Sequence, residues 1–122
     1  EAGLSAAGAD VSMHPQWRDV ETALHCTRRL VKIAREQRAM IHVLHVSTAE
    51  EMPLLAANRD IATVEVTPHH LTFTADDYGR LGTLLQMNPP MREPHHKDGI
   101  WAALYVVARA FTPSSNAPSR NE

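Results

Sequence analysis

The sequence predicts an α/β fold in which neighbouring strands run parallel. Two short runs rich in β-branched residues, 41–47 and 60–68, each follow a segment with helical periodicity, at residues 17–37 and 49–58. A parallel pair of strands needs a crossover helix between them, so this order with short connections is that of an α/β unit. We therefore predict a single small domain over residues 1–122.

The first helix is predicted over about residues 17–37, entered through Pro15. Its charged residues lie mostly on one side, which indicates a solvated face rather than a binding surface. Apolar or small residues recur on the other side at spacings of three and four: Val20, Ala23, Leu24, Thr27, Val31 and Ala34.

The second helix is predicted over 49–58 from two overlapping capping patterns. Ser47 and Thr48 each precede a glutamate by three residues, as in a capping box. Pro53 lies inside this segment and removes a backbone donor, so we expect the helix to start late or to kink.

The second half of the chain is predicted to hold a short helical turn, a long loop and a last helix. The turn begins at Thr74, the loop extends to Arg92, and the helix covers about 94–110. Residues 1–13 are small and undistinguished and are predicted to form an irregular lead-in, whereas 112–122 are polar and are predicted to be a disordered tail. The last helix has an apolar stripe made of Ile100, Ala103, Leu104, Val107 and Phe111.

Charge and composition argue against nucleic acid or a membrane as a partner. The formal net charge is −2, and the 12 Lys and Arg residues are mixed with 14 Asp and Glu residues. No apolar run approaches the roughly 20 residues that span a bilayer, and no signal peptide is recognisable. Cys26 is the single cysteine, and we interpret it as a small apolar residue of a cytoplasmic protein.

Clustered histidines raise the possibility of a metal site. Side chains three apart in a strand point to opposite faces, so at most one of His42 and His45 faces such a site. His45 is nearer to the carboxyl end of the strand, where parallel α/β folds place their active sites, and it is the candidate metal ligand. The alternative is a hydrogen-bonded core histidine.

Two further histidine pairs allow more than one interpretation. His69 and His70 follow the second strand, so they could also face a site, or one of them could pack under a loop while the other is solvated. His95 and His96 fall in the first turn of the last helix, where neighbours point about 100° apart, and they are predicted to lie on the surface.

Asn88 is the candidate ligand-binding residue of the long loop. The two prolines that follow it fix the backbone and bias Asn88 towards an extended conformation. Its amide would then be held ready to pair with a planar amide or carboxylate of a ligand. The alternative is that Asn-Pro-Pro forms only a rigid turn.

Three of these segments, in this order and spacing, resemble the dihydroorotases of the amidohydrolase superfamily. They are His42–Thr48, Glu65–Leu71 and Met87–Arg92. The segment His14–Asp19 is also similar to that family, and the resemblance covers about residues 10–103.

The resemblance implies part of a (β/α)₈ barrel, roughly strands six and seven with their helices. It further implies a Zn²⁺-dependent enzyme that converts dihydroorotate to N-carbamoyl-L-aspartate in pyrimidine biosynthesis, with the metal lowering the pKa of a bound water. Carried over residue by residue, it makes His45 a metal ligand and Asn88 a contact to the substrate ring. His42, His69 and His70 then match supporting positions.

Departures from the family pattern concern the catalytic centre itself. The remaining metal ligands of the family would precede residue 1, so we expect this to be a partial chain. Where the family has its catalytic Asp this sequence has Ser115, and Asn116 and Ser119 stand where histidines are expected. No catalytic residue is therefore assigned, and the chain alone is expected to be inactive.

These departures leave alternatives open. The first is a non-catalytic dihydroorotase-like protein that acts as a structural or regulatory partner of aspartate carbamoyltransferase. The second is a small α/β module whose exposed sheet edges mediate homo-oligomerisation. A related cyclic amide, such as a hydantoin, is the alternative substrate to dihydroorotate.

Overall fold

A computed structural model describes residues 10–111 of the chain, with side chains as far as Tyr105. The predicted tail, with Ser115, Asn116 and Ser119, and residues 1–9 lie outside the described residues. The described part contains these elements: α1 His14–Trp17, α2 Val20–Gln37, β1 Ile41–Val43, α3 Glu51–Ala56, β2 Ala62–Val64, α4 Pro68–Thr72, α5 Tyr78–Leu81 and α6 Pro94–Phe111. Short 3₁₀ turns are found at Val11–Met13, Ala75–Asp77 and Gly82–Leu85.

The two strands form a parallel pair, as the order of elements predicted. Ile41 is opposite Ala62 and Val43 is opposite Val64. Beyond the strands, Glu65 N donates to Val43 O and Val46 N donates to Glu65 O, both at 2.9 Å. These two bonds keep the chains side by side where both strands end.

Both strands are shorter than predicted. The run 41–47 leaves the extended conformation because His45 has a φ of 43°, in the left-handed region that only a few per cent of non-glycine residues adopt. The run 60–68 is shortened at both ends, since Asn58 O accepts from Ile61 N and Ala62 N in a turn, and α4 begins at Pro68.

The apolar face predicted for the first helix is confirmed, but its start is wrong. Thr27, Val31 and Ala34 are buried in α2. The helix begins at Val20 because the carboxylate of Asp19 caps it, accepting from Thr22 N at 2.7 Å. Pro15 belongs instead to the separate short helix α1.

The late start predicted for the second helix is confirmed, since α3 begins at Glu51 and places Pro53 in its first turn. There the missing N–H of proline costs no helical hydrogen bond. Glu51 is only 5% exposed. Thr27 Oγ1 donates to it at 2.5 Å and Thr48 Oγ1 at 2.8 Å, so both carboxylate oxygens are paired.

Two hydrophobic clusters support these elements. The first surrounds the sheet and is made of Val31, Val43, Val46, Leu55 and Ala62. The second is made of Tyr78, Leu85 and Met91 and lies under the segment predicted to be a loop. The helical turn predicted at Thr74 is confirmed, with reciprocal capping bonds between Thr74 and Asp77.

The sequence interpretation missed the short helices α4 and α5, which have five and four residues. Neither is long enough to display helical periodicity. None of the helices among the described residues is both long and apolar enough to cross a membrane.

The turn before α3 packs tightly against the start of α6. A Cβ placed on Gly99 would lie 2.5 Å from Ala49 Cβ, which is closer than real Cβ atoms approach. The two backbones can therefore come this close only because residue 99 is a glycine.

We predict that Gly99→Ala lowers the free energy of unfolding by about 1–3 kcal/mol, because it overpacks this contact. Urea denaturation of the purified chain measures the change. Gly79→Ala is the matched control, since no atom lies within 4 Å of the new Cβ. The double variant Ala49→Gly, Gly99→Ala should recover the loss, and an increase in stability for Gly99→Ala alone would contradict the contact.

We also predict that Thr27→Val destabilises the chain by about 1–3 kcal/mol, because it leaves one oxygen of a buried carboxylate without its donor. Valine keeps the volume of threonine, so the loss reports the hydrogen bond to Glu51. Thr83→Val is the control, since Thr83 is exposed. Equal unfolding midpoints for the two variants would exclude this role of Thr27.

Candidate active site

The candidate site lies where the carboxyl ends of β1 and β2 meet. Because the strands are parallel and in register, the segments that follow them emerge on the same edge of the sheet. His45 follows β1, and the segment Thr67–His70 follows β2. The loop Asn88–Arg92 reaches this edge from the second half of the chain, through His70.

His45 is exposed and faces a cavity of about 170 Å³. Its left-handed backbone ends the extended path of β1 at this point. The cavity is lined by Ala23, Cys26, Thr27, Leu44, His45, Val46, Ser47, Glu51 and Pro89. Cys26, which also lines the cavity, is an exposed free cysteine. The cavity thus brings His45 together with Pro89, the residue that follows Asn88.

His70 joins the second strand to the loop. Its Nε2 lies 3.0 Å from the carbonyl oxygen of Pro89, and its Nδ1 lies 2.8 Å from Thr67 Oγ1. A carbonyl can only accept, so Nε2 carries the proton and the hydroxyl of Thr67 donates to Nδ1. Burial lowers the pKa of His70, although the bond to Pro89 opposes this, and the ring is neutral near neutral pH.

This arrangement matches the alternative in which one histidine of the pair packs under the loop. His70 is buried and bonded to the loop, whereas His69 is exposed. His70 therefore positions the loop through the backbone carbonyl of Pro89.

Asn88 is exposed at the start of the loop, and its peptide bond to Pro89 is cis. Arg18 Nη1 donates to Asn88 Oδ1 at 2.9 Å. Because a guanidinium can only donate, this contact assigns the oxygen of the amide to Arg18. A ligand would then meet the NH₂ group of Asn88, which offers two donors.

The far end of the loop is anchored by a buried arginine. Arg92 is 5% exposed, and its Nε donates to Ser47 Oγ at 3.3 Å while Nη1 donates to the carbonyl of Arg18. Burial lowers the pKa of Arg92, and the negative charge of Glu51 opposes that change, so the guanidinium stays protonated. Tyr78 Oη accepts from Met91 N at 3.1 Å, which adds a second anchor.

Sequence reasoning missed Arg18 and Tyr78 as supports of the loop. Both contacts join residues far apart along the chain, so no local pattern signals them. His42, in contrast, lies outside the cavity: it is exposed and its Nδ1 contacts Thr63 Oγ1 at 2.7 Å, across the sheet.

The prediction that His95 and His96 both lie on the surface is wrong for His96, which is 2% exposed. The close packing at Gly99 brings the start of α6 against the turn that contains Ala49 and Glu50. As a result, His96 Nδ1 lies 3.0 Å from a carboxylate oxygen of Glu50. His95 is exposed, as predicted.

Zinc at His45 would require ligands beyond those that the described residues provide there. A catalytic Zn²⁺ usually takes three protein ligands, and His45 supplies one imidazole. Within residues 10–105, the set of three ligating groups that does converge is Glu50, His95 and His96, which does not include His45.

Similar proteins were found by sequence. No model of a known protein family matches the chain. It is 34% identical to a dihydroorotase of Halobacterium salinarum, covering 89% of this chain and 26% of that protein. A dihydroorotase of Carboxydothermus hydrogenoformans is 39% identical, covering 74% and 22%, and an allantoinase of Rubrobacter xylanophilus is 32% identical, covering 78% and 22%.

The fold was also found among solved structures. A crystal structure of D-hydantoinase superposes with a TM-score of 0.77 over 84% of this chain and 24% of that one, at 23% identity. The chain spans about a quarter of the length of these sequence relatives. In sequence the chain is thus similar to part of dihydroorotases and allantoinases, and in fold it is similar to part of D-hydantoinase.

Proposed function

We propose that this chain forms part of the active site of a zinc-dependent dihydroorotase, in which β1 and β2 are strands six and seven of a (β/α)₈ barrel. The reaction is the hydrolysis of dihydroorotate to N-carbamoyl-L-aspartate and its reverse. The observation that carries the proposal is the hydrogen bond from His70 Nε2 to the Pro89 carbonyl. It joins the segment Glu65–Leu71 to the segment Met87–Arg92 at the sheet edge. The segment His42–Thr48 places His45 in the cavity that Pro89 also lines.

In this proposal, His45 is one ligand of Zn²⁺, and residues outside this chain complete the set. The bound metal would lower the pKa of a water molecule and so supply hydroxide near neutral pH. The exposed position of His45 on the cavity leaves its ring accessible to an ion. By itself the chain then binds no catalytic metal at His45 and turns over no substrate.

Asn88 is proposed to contact the substrate ring through its amide NH₂. Arg18 donates to the oxygen of that amide, which leaves its two N–H donors available for acceptors such as the carbonyl oxygens of a cyclic amide. The neutral ring of His70 donates to the carbonyl of Pro89, the residue after Asn88, and so limits the freedom of Asn88. Both contacts reduce the entropy lost on binding.

A chimaeric enzyme tests the proposal. Residues 10–105 of this chain replace the matching quarter of the Carboxydothermus hydrogenoformans dihydroorotase, which supplies the rest of the barrel. We predict that the chimaera hydrolyses dihydroorotate. His45→Ala in the chimaera should lower kcat/KM by more than about 10- to 100-fold, which is the loss expected for a residue that contacts a metal ligand rather than the metal itself. His42→Ala is the control and should keep most of the activity, and retained activity in the His45→Ala chimaera would contradict the ligand role.

Substrate choice is tested on the same chimaera with dihydroorotate, allantoin and hydantoin assayed side by side. We predict that Asn88→Ala raises KM for dihydroorotate by about three- to tenfold with little change in kcat, since it removes one hydrogen bond of uniform binding. Gln86→Ala, an exposed change in the same loop, is the control. A preference for allantoin or hydantoin would refute dihydroorotate as the substrate.

The second candidate is a non-catalytic partner of aspartate carbamoyltransferase. It is favoured by Ser115, Asn116 and Ser119, which replace the catalytic Asp and two histidines expected by resemblance. Sedimentation of the chain with and without aspartate carbamoyltransferase tests it, and absence of co-migration refutes it. The run without partner also reports whether the chain forms a homo-oligomer.

A further inference from the structure

Glu50, His95 and His96 form a compact cluster of ligating side chains apart from His45. One ligand atom from each of the three lies within 4.8 Å of the others. Glu50 immediately precedes α3, and the two histidines are the second and third residues of α6. The tight contact of Ala49 with Gly99 holds these two segments together, so the cluster is built into the packing of the fold.

The distances are those of a site for a small cation. Glu50 Oε2 lies 3.0 Å from His96 Nδ1, and Glu50 Oε1 lies 3.9 Å from His95 Nε2. Donor atoms around a tetrahedral Zn²⁺ with bonds of about 2.0–2.1 Å are separated by about 3.3–3.4 Å. The Glu50 and His95 side chains are 43% and 64% exposed, so both have room to rotate towards that separation, although His95 now stacks on the His96 ring with centroids 3.8 Å apart.

His96 carries a lone pair on Nδ1, close to the carboxylate of Glu50. Ala49 N–H donates to His96 Nδ1 at 3.2 Å, so this nitrogen acts as an acceptor and the proton sits on Nε2. In this tautomer no hydrogen lies between Nδ1 and the carboxylate oxygen 3.0 Å away.

We propose that Glu50, His95 and His96 bind a divalent transition metal ion of the Zn²⁺ class, at a site separate from the one proposed at His45. A bound cation would take the lone pair of His96 Nδ1 and one of the Glu50 carboxylate, at the cost of the long bond from Ala49. Two imidazoles and one carboxylate suit Zn²⁺, Co²⁺ or Ni²⁺ rather than Mg²⁺ or Ca²⁺, which prefer oxygen ligands. The exposed side of the cluster leaves room for water as a further ligand.

Glu93 supports the same site from the opposite side of the His96 ring. Its Oε2 lies 3.7 Å from His96 Nε2, the nitrogen that carries the proton. A carboxylate behind a metal-bound histidine orients the ring and makes its other nitrogen a better donor to the ion.

A metal titration of the complete 122-residue chain, made without a polyhistidine tag, tests the proposal. Co²⁺ binding is followed by visible absorption, and Zn²⁺ affinity is obtained by competition. We expect one ion per chain, with affinity lowered at least about tenfold in His95→Ala and in Glu50→Gln, and by a smaller factor in Glu93→Gln, because Glu93 lies beyond hydrogen-bond distance of His96. The ion should also raise the melting temperature of the parent chain but not that of His95→Ala.

Two control variants separate this site from the rest of the chain. His25→Ala removes an exposed histidine of α2, and His45→Ala removes the ligand of the proposed active site. Both should bind the ion as tightly as the parent chain does. The proposal is overturned if the parent binds no ion, if His95→Ala binds as tightly as the parent, or if binding is lost in His45→Ala. The chimaera assay does not depend on this cluster, so either proposal can fail alone.

Discussion

The parallel pairing of β1 with β2 is the constraint on which the candidate site depends. Its register, continued by the bonds of Glu65 with Val43 and of Val46 with Glu65, ends both strands at the same edge. His45 leaves the extended path, and Val46 is bonded again to the neighbouring strand directly afterwards. A shift of register by one residue would turn each side chain to the opposite face and separate the two motifs.

The loop after Asn88 is fixed to that edge by polar contacts, in addition to the apolar packing of the fully buried Met91. His70 holds the carbonyl of Pro89, Tyr78 holds the N–H of Met91, and the guanidinium of Arg92 reaches Ser47. Buried polar groups of this kind are costly if left unpaired, so each contact penalises movement of the loop away from the sheet. The order of this long segment thus follows from where its hydrogen-bonding groups are satisfied.

Apart from the parallel pairing of the strands, which follows from the order of elements, the features that the sequence predicted correctly are local ones. The buried face of α2, the helical turn at Thr74 and the late start of α3 at Glu51 each depend on residues within one or two helical turns. The early end of β1 could not be predicted, because a positive φ at His45 has no local signature in a non-glycine residue. The break before α2 had a signal in Asp19, an N-cap residue, but the helical pattern that extends back to Trp17 concealed it.

His96 shows how a single close approach can change the role of a residue. In sequence it is one of two polar residues in the first turn of an amphipathic helix, which indicates a surface position. Its burial follows from Gly99 one turn later, where the absent Cβ lets the turn with Ala49 close over the helix. That turn also carries Glu50, so the contact that buries the imidazole supplies the carboxylate beside it. The approach of Glu50 to His96 thus depends on Gly99, which has no ligating atom. The spacing of the two residues in the sequence therefore does not reveal that they are neighbours.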